Sequence, residues 1–406
     1  MLLNGLLLAA IGLGHCCLVV LAINVVHGLG VTWRHFDLLA RAGIAAALVA
    51  TAAVAWVLIA AVPHAWPLPA RAYAVATLAV ALIGLPATTM ARVLRGRFPG
   101  VSGRSTEIDL AAEAGGAGAL IGEGKHAWLL RWPGNESLRL RLDRWEVQVP
   151  GLPAAFEGLA ILHVTDLHFA HCYRRRFFEA VADEAMGMRP DLIAFTGDLI
   201  DHEETVAWIE PVLSRLRAPL GQFAILGNHD VHHDLPRLRG ELARAGFVDV
   251  DGRWTVVATG GATLAIGGTS APWGPALDPS AQPEADTTLV LSHTPDLFPR
   301  LAAWGPDLVL SGHNHGGQLR LPVFGPVLMP SVYSRRFDLG FFRSGRSLMY
   351  VGHGVGGEHP LRYGCPPGVA QLVLRCPEAR ASSSTSRASR RHAEASSAAG
   401  GEPTAV

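Results

Sequence analysis

The sequence predicts an α/β domain preceded by three membrane-crossing helices. Two observations predict it. Long charge-free runs are confined to the first hundred residues, and beyond residue 144 short continuous apolar runs alternate with helical or loop segments. With 50% hydrophobic and 17% charged residues over 406 positions, the chain is too apolar for an ordinary soluble protein and too long for one small domain. Its formal net charge of zero gives no reason to expect a nucleic acid partner.

Residues 42–62 and 72–91 contain no Asp, Glu, Lys or Arg, and each matches the roughly 20 residues that a helix needs to cross a bilayer. The first charge of the chain is Arg34, so residues 1–33 form a further candidate, interrupted by Asn4, His15, Asn24 and His27. That run lacks the basic start and small-residue cleavage site of a secretory signal, which makes it a retained span. Pro63, Pro67 and Pro69 punctuate the gap before the last span. Arg34 and Arg41 lie in the first loop, Arg71 alone in the second, and Arg92, Arg95, Arg97 and Arg104 after the last span. This bias puts the first loop and everything after residue 91 on the cytoplasmic side.

The remaining organisation follows from composition. Residues 1–91 are the membrane region, and residues 92–143 read as a juxtamembrane connector with the Gly-rich stretch AEAGGAGALIGEG in its middle. Residues 144–376 form the folded domain. Residues 377–406, rich in Ser, Ala and Arg, have little to bury and read as a disordered tail. Cys16, Cys17, Cys172, Cys365 and Cys376 show no metal-type spacing and read as free thiols.

Within the domain, five apolar runs of about four to six residues read as strands buried on both faces. LAILHVTDLH ends in Asp166 and His168, and DLIAFTGD in Asp198. QFAILGNHD ends in Asn228, His229 and Asp230, TTLVLSH in His293, and DLVLSGHNH in His313 and His315. Between the first two, RRRFFEAVADEAMGMRP has helical apolar spacing and stops at Arg189-Pro190, which gives a β-α-β unit. Open α/β sheets bind ligands where the carboxyl ends of their strands meet, so these carboxylates, imidazoles and amide are expected along one edge.

The series D-x-H, G-D, G-N-H-D, H and G-H-x-H, in this order, resembles the calcineurin-like metallophosphoesterases, and VPGLPAAFEGL, LMYVGHGVG and CPPGVAQLVL resemble its bacterial membrane-associated branch. The resemblance implies a two-sheet α-β-β-α sandwich with helices outside both sheets. It implies two divalent metal ions, for which mixed N/O ligands suit manganese, iron or zinc. Asp166, His168 and His315 would hold one, Asn228, His293 and His313 the other, and Asp198 would bridge them. It further implies attack on phosphorus by a metal-bridging hydroxide rather than by a protein nucleophile. His229 would act at the leaving group, with Asp230 as the partner that orients and charges it.

His171, His202, His232, His233 and His353 read as loop residues and Asp201 as a solvated carboxylate. Two positions depart from the family pattern: Asn314 stands where threonine is more usual, and Val231 where an aromatic often follows the aspartate. Arg335 and Arg336 offer cations at the site mouth for an anionic substrate. Membrane attachment points to membrane lipid as a partner and to a lipid-linked phosphate ester. The resemblance suggests UDP-2,3-diacylglucosamine, hydrolysed at a bacterial inner membrane by a multi-pass protein with a cytoplasmic domain. The rival reading is a membrane-bound metal sensor or an inactive binding module. A transporter is disfavoured, because the spans carry no Asp, Glu, Lys or Arg to line an ion path.

Overall fold

The computed structural model of the chain describes residues 2–28, 68–94 and 98–377. The candidate span 42–62 and the tail beyond residue 377 lie outside the described residues. Helix α1 (Leu2–Gly28) and helix α2 (Leu68–Leu94) are both long and apolar enough to cross a membrane. Within α2 the residues Val80–Gly84 form a π-helical turn, directly before Pro86, whose ring and missing N–H an α-helical ladder cannot accommodate. The two helices run the same way: His15 is bonded to Tyr73, while Leu21, further along, shares a cavity with Thr88 and Ala91.

The rest of the described chain builds two sheets. The first contains β1 (Val101–Asp109), β2 (Arg139–Gln148), β3 (Ala160–Val164), β4 (Leu192–Thr196), β5 (Gln222–Ile225), β6 (Phe247–Asp249) and β15 (Gly368–Arg375), in the order β1-β2-β15-β3-β4-β5-β6. The second contains β7 (Trp254–Thr259), β8 (Ala262–Thr269), β9 (Thr287–Ser292), β10 (Leu308–Ser311), β13 (Gly340–Ser344) and β14 (Ser347–Val351), in the order β13-β14-β10-β9-β8-β7. A small ribbon, β11 (Arg320–Leu321) and β12 (Gly325–Pro326), follows β10. Each central strand is apolar on both faces because each face meets a layer. Ile161, Ala194 and Ile225 of the first sheet pack with Ile266, Leu289 and Leu310 of the second. The outer face of the first sheet is covered by α3 (Arg175–Met186) through Phe177, Phe178 and Val181. Helix α4 (Phe298–Trp304) covers the second through Phe298 and Leu301.

The segment read as a connector behaves differently. Residues 101–109 and 139–148 pair with each other over nine positions, and β2 runs parallel to β15 from Arg141 to Gln148. Leu120 and Ile121 of the Gly-rich stretch are buried in the main core. The folded domain thus takes in most of residues 92–143. Its strands escaped notice because charge dilutes their buried positions: RLRLDRWEVQ buries Leu140, Asp143 and Val147 among exposed or half-exposed neighbours, and β1, at the sheet edge, is almost wholly exposed, so neither reads as a continuous apolar run.

Asp143 of β2 ties this edge to the centre. Its carboxylate faces His353 Nε2 at 3.4 Å and accepts from Arg141 Nε at 2.8 Å. Burial opposes its charge, yet His353 and Arg141 hold the carboxyl down at about 2. Burial likewise opposes a charge on His353, and Cys365 and Asp143 push that imidazole up to about 9. The Asp143 contribution is complete above the unfolded carboxyl value of 3.8 and is lost as pH falls through about 2. The His353 contribution is complete below 6.5 and is lost as pH rises through about 9. His353→Gln is therefore expected to lower Tm most between about pH 4 and pH 6.5, with a gap that narrows in alkali. A Tm difference independent of pH would contradict this pairing.

Candidate metal centre

Five strands turn at the same edge. β3 leads to Asp166 and His168, β4 to Asp198, β5 to Asn228 and His229, β9 to His293, and β10 to His313 and His315. Asp166, His168, Asp198, His313 and His315 have left-handed backbones, with φ of 52°, 43°, 55°, 66° and 46°. Such conformations cost residues with a β-carbon of order 1–3 kcal/mol each, so the surrounding packing enforces them. The sharp turns let residues two apart aim their side chains into one space. Two glycines make room: a Cβ on Gly227 would lie 2.1 Å from Asp198 Oδ1, and one on Gly312 would lie 1.9 Å from Thr165 Oγ1.

Among the described residues, three groups could hold a metal ion: Asp166–His168–His315, His168–Asp198–His229 and Asp198–His293–His313, with candidate ligand atoms within 4.8 Å of one another in each. Asp198 lies between the halves, its Oδ2 at 3.3 Å from His168 Nε2 and 3.4 Å from His293 Nε2. His315 Nε2 is 3.5 Å from Asp166 Oδ1, and Asn228 Oδ1 is 2.9 Å from His293 Nε2. The ligand candidates read from the sequence thus meet at one place.

The hydrogen bonds decide which nitrogens face inward. His168 Nδ1 donates to Asp201 at 2.7 Å and His293 Nδ1 to the Thr196 carbonyl at 2.8 Å. The Pro330 carbonyl faces the His313 ring, while His313 Nε2 is buried with no hydrogen-bond partner among the described residues. A neutral imidazole that donates at Nδ1 presents a lone pair at Nε2. With the rings neutral, three Nε2 lone pairs would point among carboxylate and amide oxygens, an array of acceptors that a cation satisfies; without a cation, and against burial, Asp201 and Asp198 raise the proton affinity of His168, and Asp198 raises that of His293. Burial, reinforced by His293, pushes His313 down to about 3 and so keeps it neutral, as ligation requires. His315 differs. Buried Arg362 approaches its Nδ1 at 3.1 Å and can only donate, so in this geometry the His315 proton sits on Nε2, 3.0 Å from His168 Nε2.

Asp230 is not the partner of the His229 ring. Its two carboxylate oxygens accept from the amides of Leu199, Ile200 and Gly227 at 2.9, 3.2 and 2.8 Å. It braces the loops after β4 and β5, and burial next to Asp198 raises its carboxyl to about 6. The partner is Asp201, whose Oδ1 accepts from both His168 Nδ1 and His229 Nδ1, at 2.7 and 2.8 Å. Burial would raise Asp201, but His168 and His229 hold its carboxyl far below the usual range. Asp201→Ala is expected to cost about 10–100-fold in turnover or metal affinity, because it frees two rings at once. Steady-state kinetics with metal titration would check this. Asp230→Ala should appear as a Tm loss, since it leaves three buried amides unpaired.

One signal for Asp201 was available, its position three residues after Asp198 in the same strand-end loop. Nothing in the sequence marked Arg362. His353, read as a loop residue, is buried, whereas His171 stacks on His202 at 5.1 Å away from the ligand groups.

A model of the calcineurin-like phosphoesterase family matches residues 159–317. Among curated relatives, the uncharacterized metallophosphoesterase YkuE of Bacillus subtilis (strain 168) is 30% identical over 242 residues, covering 55% of this chain and 82% of the relative. Phosphodiesterase YaeI of Escherichia coli (strain K12) is 34% identical over 220 residues, covering 53% and 81%. UDP-2,3-diacylglucosamine pyrophosphatase LpxG of Chlamydia trachomatis is 27% identical over 302 residues, covering 58% and 89%.

Proposed function

Because the chain belongs to the calcineurin-like phosphoesterases, metal-dependent hydrolases, we propose that it is a membrane-anchored enzyme that cleaves a phosphoester or pyrophosphate bond in a lipid-linked substrate. The observation that carries this reading is the convergence of His168, His293 and His313 on Asp198, within groups whose side-chain atoms could hold a metal ion. In this reading Asp166, His168 and His315 would hold one cation, Asn228, His293 and His313 would hold a second, and Asp198 would serve both. Divalent manganese, iron or zinc there would supply Lewis acidity and an activated water.

The chain's own residues do the rest. His229 is the half-exposed member of the cluster, with 29% of its side chain accessible, so it can reach a substrate while Asp201 fixes its Nδ1. Burial opposes its charge, but Asp198 and then Asp201 raise its proton affinity. A protonated His229 suits a donor to the departing oxygen.

Two features support a lipid-linked substrate. Asn24 of α1 accepts the Met329 amide at 2.8 Å, one residue before Pro330, whose carbonyl faces His313. A membrane helix therefore ends beside the cluster. The LpxG relative is named for UDP-2,3-diacylglucosamine, which makes that nucleotide-linked lipid our specific candidate. Helices that run the same way need a return crossing, and the charge-free stretch 42–62 lies in that interval of the sequence. This supports three spans, with the domain on the arginine-rich cytoplasmic side of a bacterial inner membrane.

The test is UMP release from UDP-2,3-diacylglucosamine by the full chain in detergent, with nitrophenyl phosphate mono- and diesters assayed in parallel. Turnover should vanish with chelator and return with added divalent metal. Metal-loaded protein that cleaves the nitrophenyl esters but releases no UMP would remove the lipid substrate. Protein that cleaves none of them would remove the enzyme reading.

A further inference from the structure

The carboxyl ends of α1 and α2 meet the chain that follows the last histidine motif. Arg92 of α2 donates to the Val323 carbonyl at 2.8 Å and pairs with Asp338 at 3.2 Å, and Asn24 of α1 donates to Ser334 Oγ at 3.1 Å. Around β11 and β12, the side chains of Leu321, Val323, Phe324 and Leu328 are exposed. A cluster of exposed apolar residues is rare on a soluble face and marks a contact surface. Here it adjoins two helices apolar enough to lie in a bilayer.

Between these helices and residues 333–343 lies a cavity of about 700 Å³. Arg92, Arg335, Arg336 and Arg343 line it together with Phe98 and Phe341, and no carboxylate does so among the described residues. The Arg343 guanidinium lies 5.6 Å from the Phe98 ring centre. Arg335 is half-buried, and its Nε is buried without a hydrogen-bond partner among the described residues. Burial, and then the nearby Arg92, push the Arg335 proton affinity down, against the opposing pull of Asp338. Arg92 and Arg320 already share that carboxylate, at 3.2 and 2.9 Å. Among the described residues that line or adjoin the cavity, Arg335 and Arg343 thus add positive charge next to a carboxylate already shared by two arginines, beside an apolar surface.

We propose that this cavity binds the phosphate headgroup of an acidic phospholipid, whose acyl chains lie along α1 and α2. The arginines match the phosphate, and the exposed ribbon supplies apolar contact at the same depth, which a free phosphate would not use. None of the candidate metal ligands lines the cavity, so it is separate from the catalytic cluster. The two communicate, however. Asn314 Nδ2 donates to the carbonyl of the cavity residue Phe337 at 2.7 Å, and Asn314 sits between His313 and His315. A headgroup against residues 333–337 would thus stiffen the loop that carries two of the histidines.

This inference rests on α1 and α2 being membrane helices, and the experiment separates the two ideas. Full-length protein in non-ionic detergent is offered equal amounts of phosphatidylglycerol and phosphatidylcholine, and the lipids retained through size-exclusion are counted by mass spectrometry. Phosphatidylglycerol should be enriched about fivefold or more, as expected for basic side chains at an anionic headgroup. The double variant Arg335→Glu/Arg343→Glu should bring the two lipids to parity. If that variant fails to fold, the single changes Arg335→Gln and Arg343→Gln should each reduce the enrichment. Millimolar glycerol 1-phosphate should leave the retained lipid in place. Parity in the unmodified protein, or enrichment unchanged in variants of normal Tm, overturns the site. Displacement by glycerol 1-phosphate overturns its lipid character. Carbonate extraction of membranes tests the helices separately: release of the chain sinks the membrane reading, whereas a retained chain with no lipid preference sinks only the headgroup site.

Discussion

Replacing His229 with alanine is expected to lower kcat by about 10²–10⁴-fold, the range for losing a positioned proton donor, while metal content stays at the level of the unmodified protein. The prediction follows from where the ring is held. Its Nδ1 is fixed on Asp201 at 2.8 Å and its backbone amide donates to Asp198 Oδ1 at 2.9 Å. The alanine variant keeps that amide, and with it the support for Asp198, but loses the imidazole. KM should change little if the imidazole acts mainly as charge develops on the departing oxygen. Metal analysis beside steady-state kinetics checks both halves. A metal-sensing or inert binding module would instead show no functional change, and loss of metal along with activity would make His229 a ligand rather than an acid.

Asp198→Ala should be more severe, with a loss exceeding the roughly 10²–10⁴-fold expected of His229, and with metal content falling as well. One carboxylate faces His168 and His293 through the same Oδ2 and carries the His229 amide on its other oxygen. Its removal leaves the lone pairs of both half-sites without the anion between them. Excess manganese or zinc should fail to restore turnover, which distinguishes this variant from a protein that merely binds metal more weakly. Full rescue by added metal would show that Asp198 only assists a site assembled by the histidines.

The sequence displayed the centre of this fold better than its edges. Strands β3, β4, β5, β9 and β10 were legible because burial on both faces makes them continuously apolar, and because each hands over to Asp, Asn or His. Strands β1 and β2 were not, because charge dilutes their apolar residues: β1 lies exposed at the sheet edge, and in β2, between β1 and β15, Arg139, Arg141 and Arg144 sit among the buried positions. In the site, ligand types announced themselves through spacing along one loop. The supporting residues could not, since their roles arise between loops. Asp230 follows His229 in sequence but turns back to the amides of Leu199, Ile200 and Gly227, and Asp201, from the preceding strand's loop, takes the imidazole. Arg362 reaches His315 across 47 positions, a separation that no local pattern encodes.

The Asn24–Met329 hydrogen bond makes helix α1 and the rim of the candidate metal site one mechanical part. A fragment starting at residue 98, the customary shortcut to a tractable preparation, would strip the Met329 amide of its acceptor and the Val323 carbonyl of its Arg92 donor. The strap over His313 would slacken, and sluggish turnover by such a fragment would then measure the missing tether instead of the chemistry.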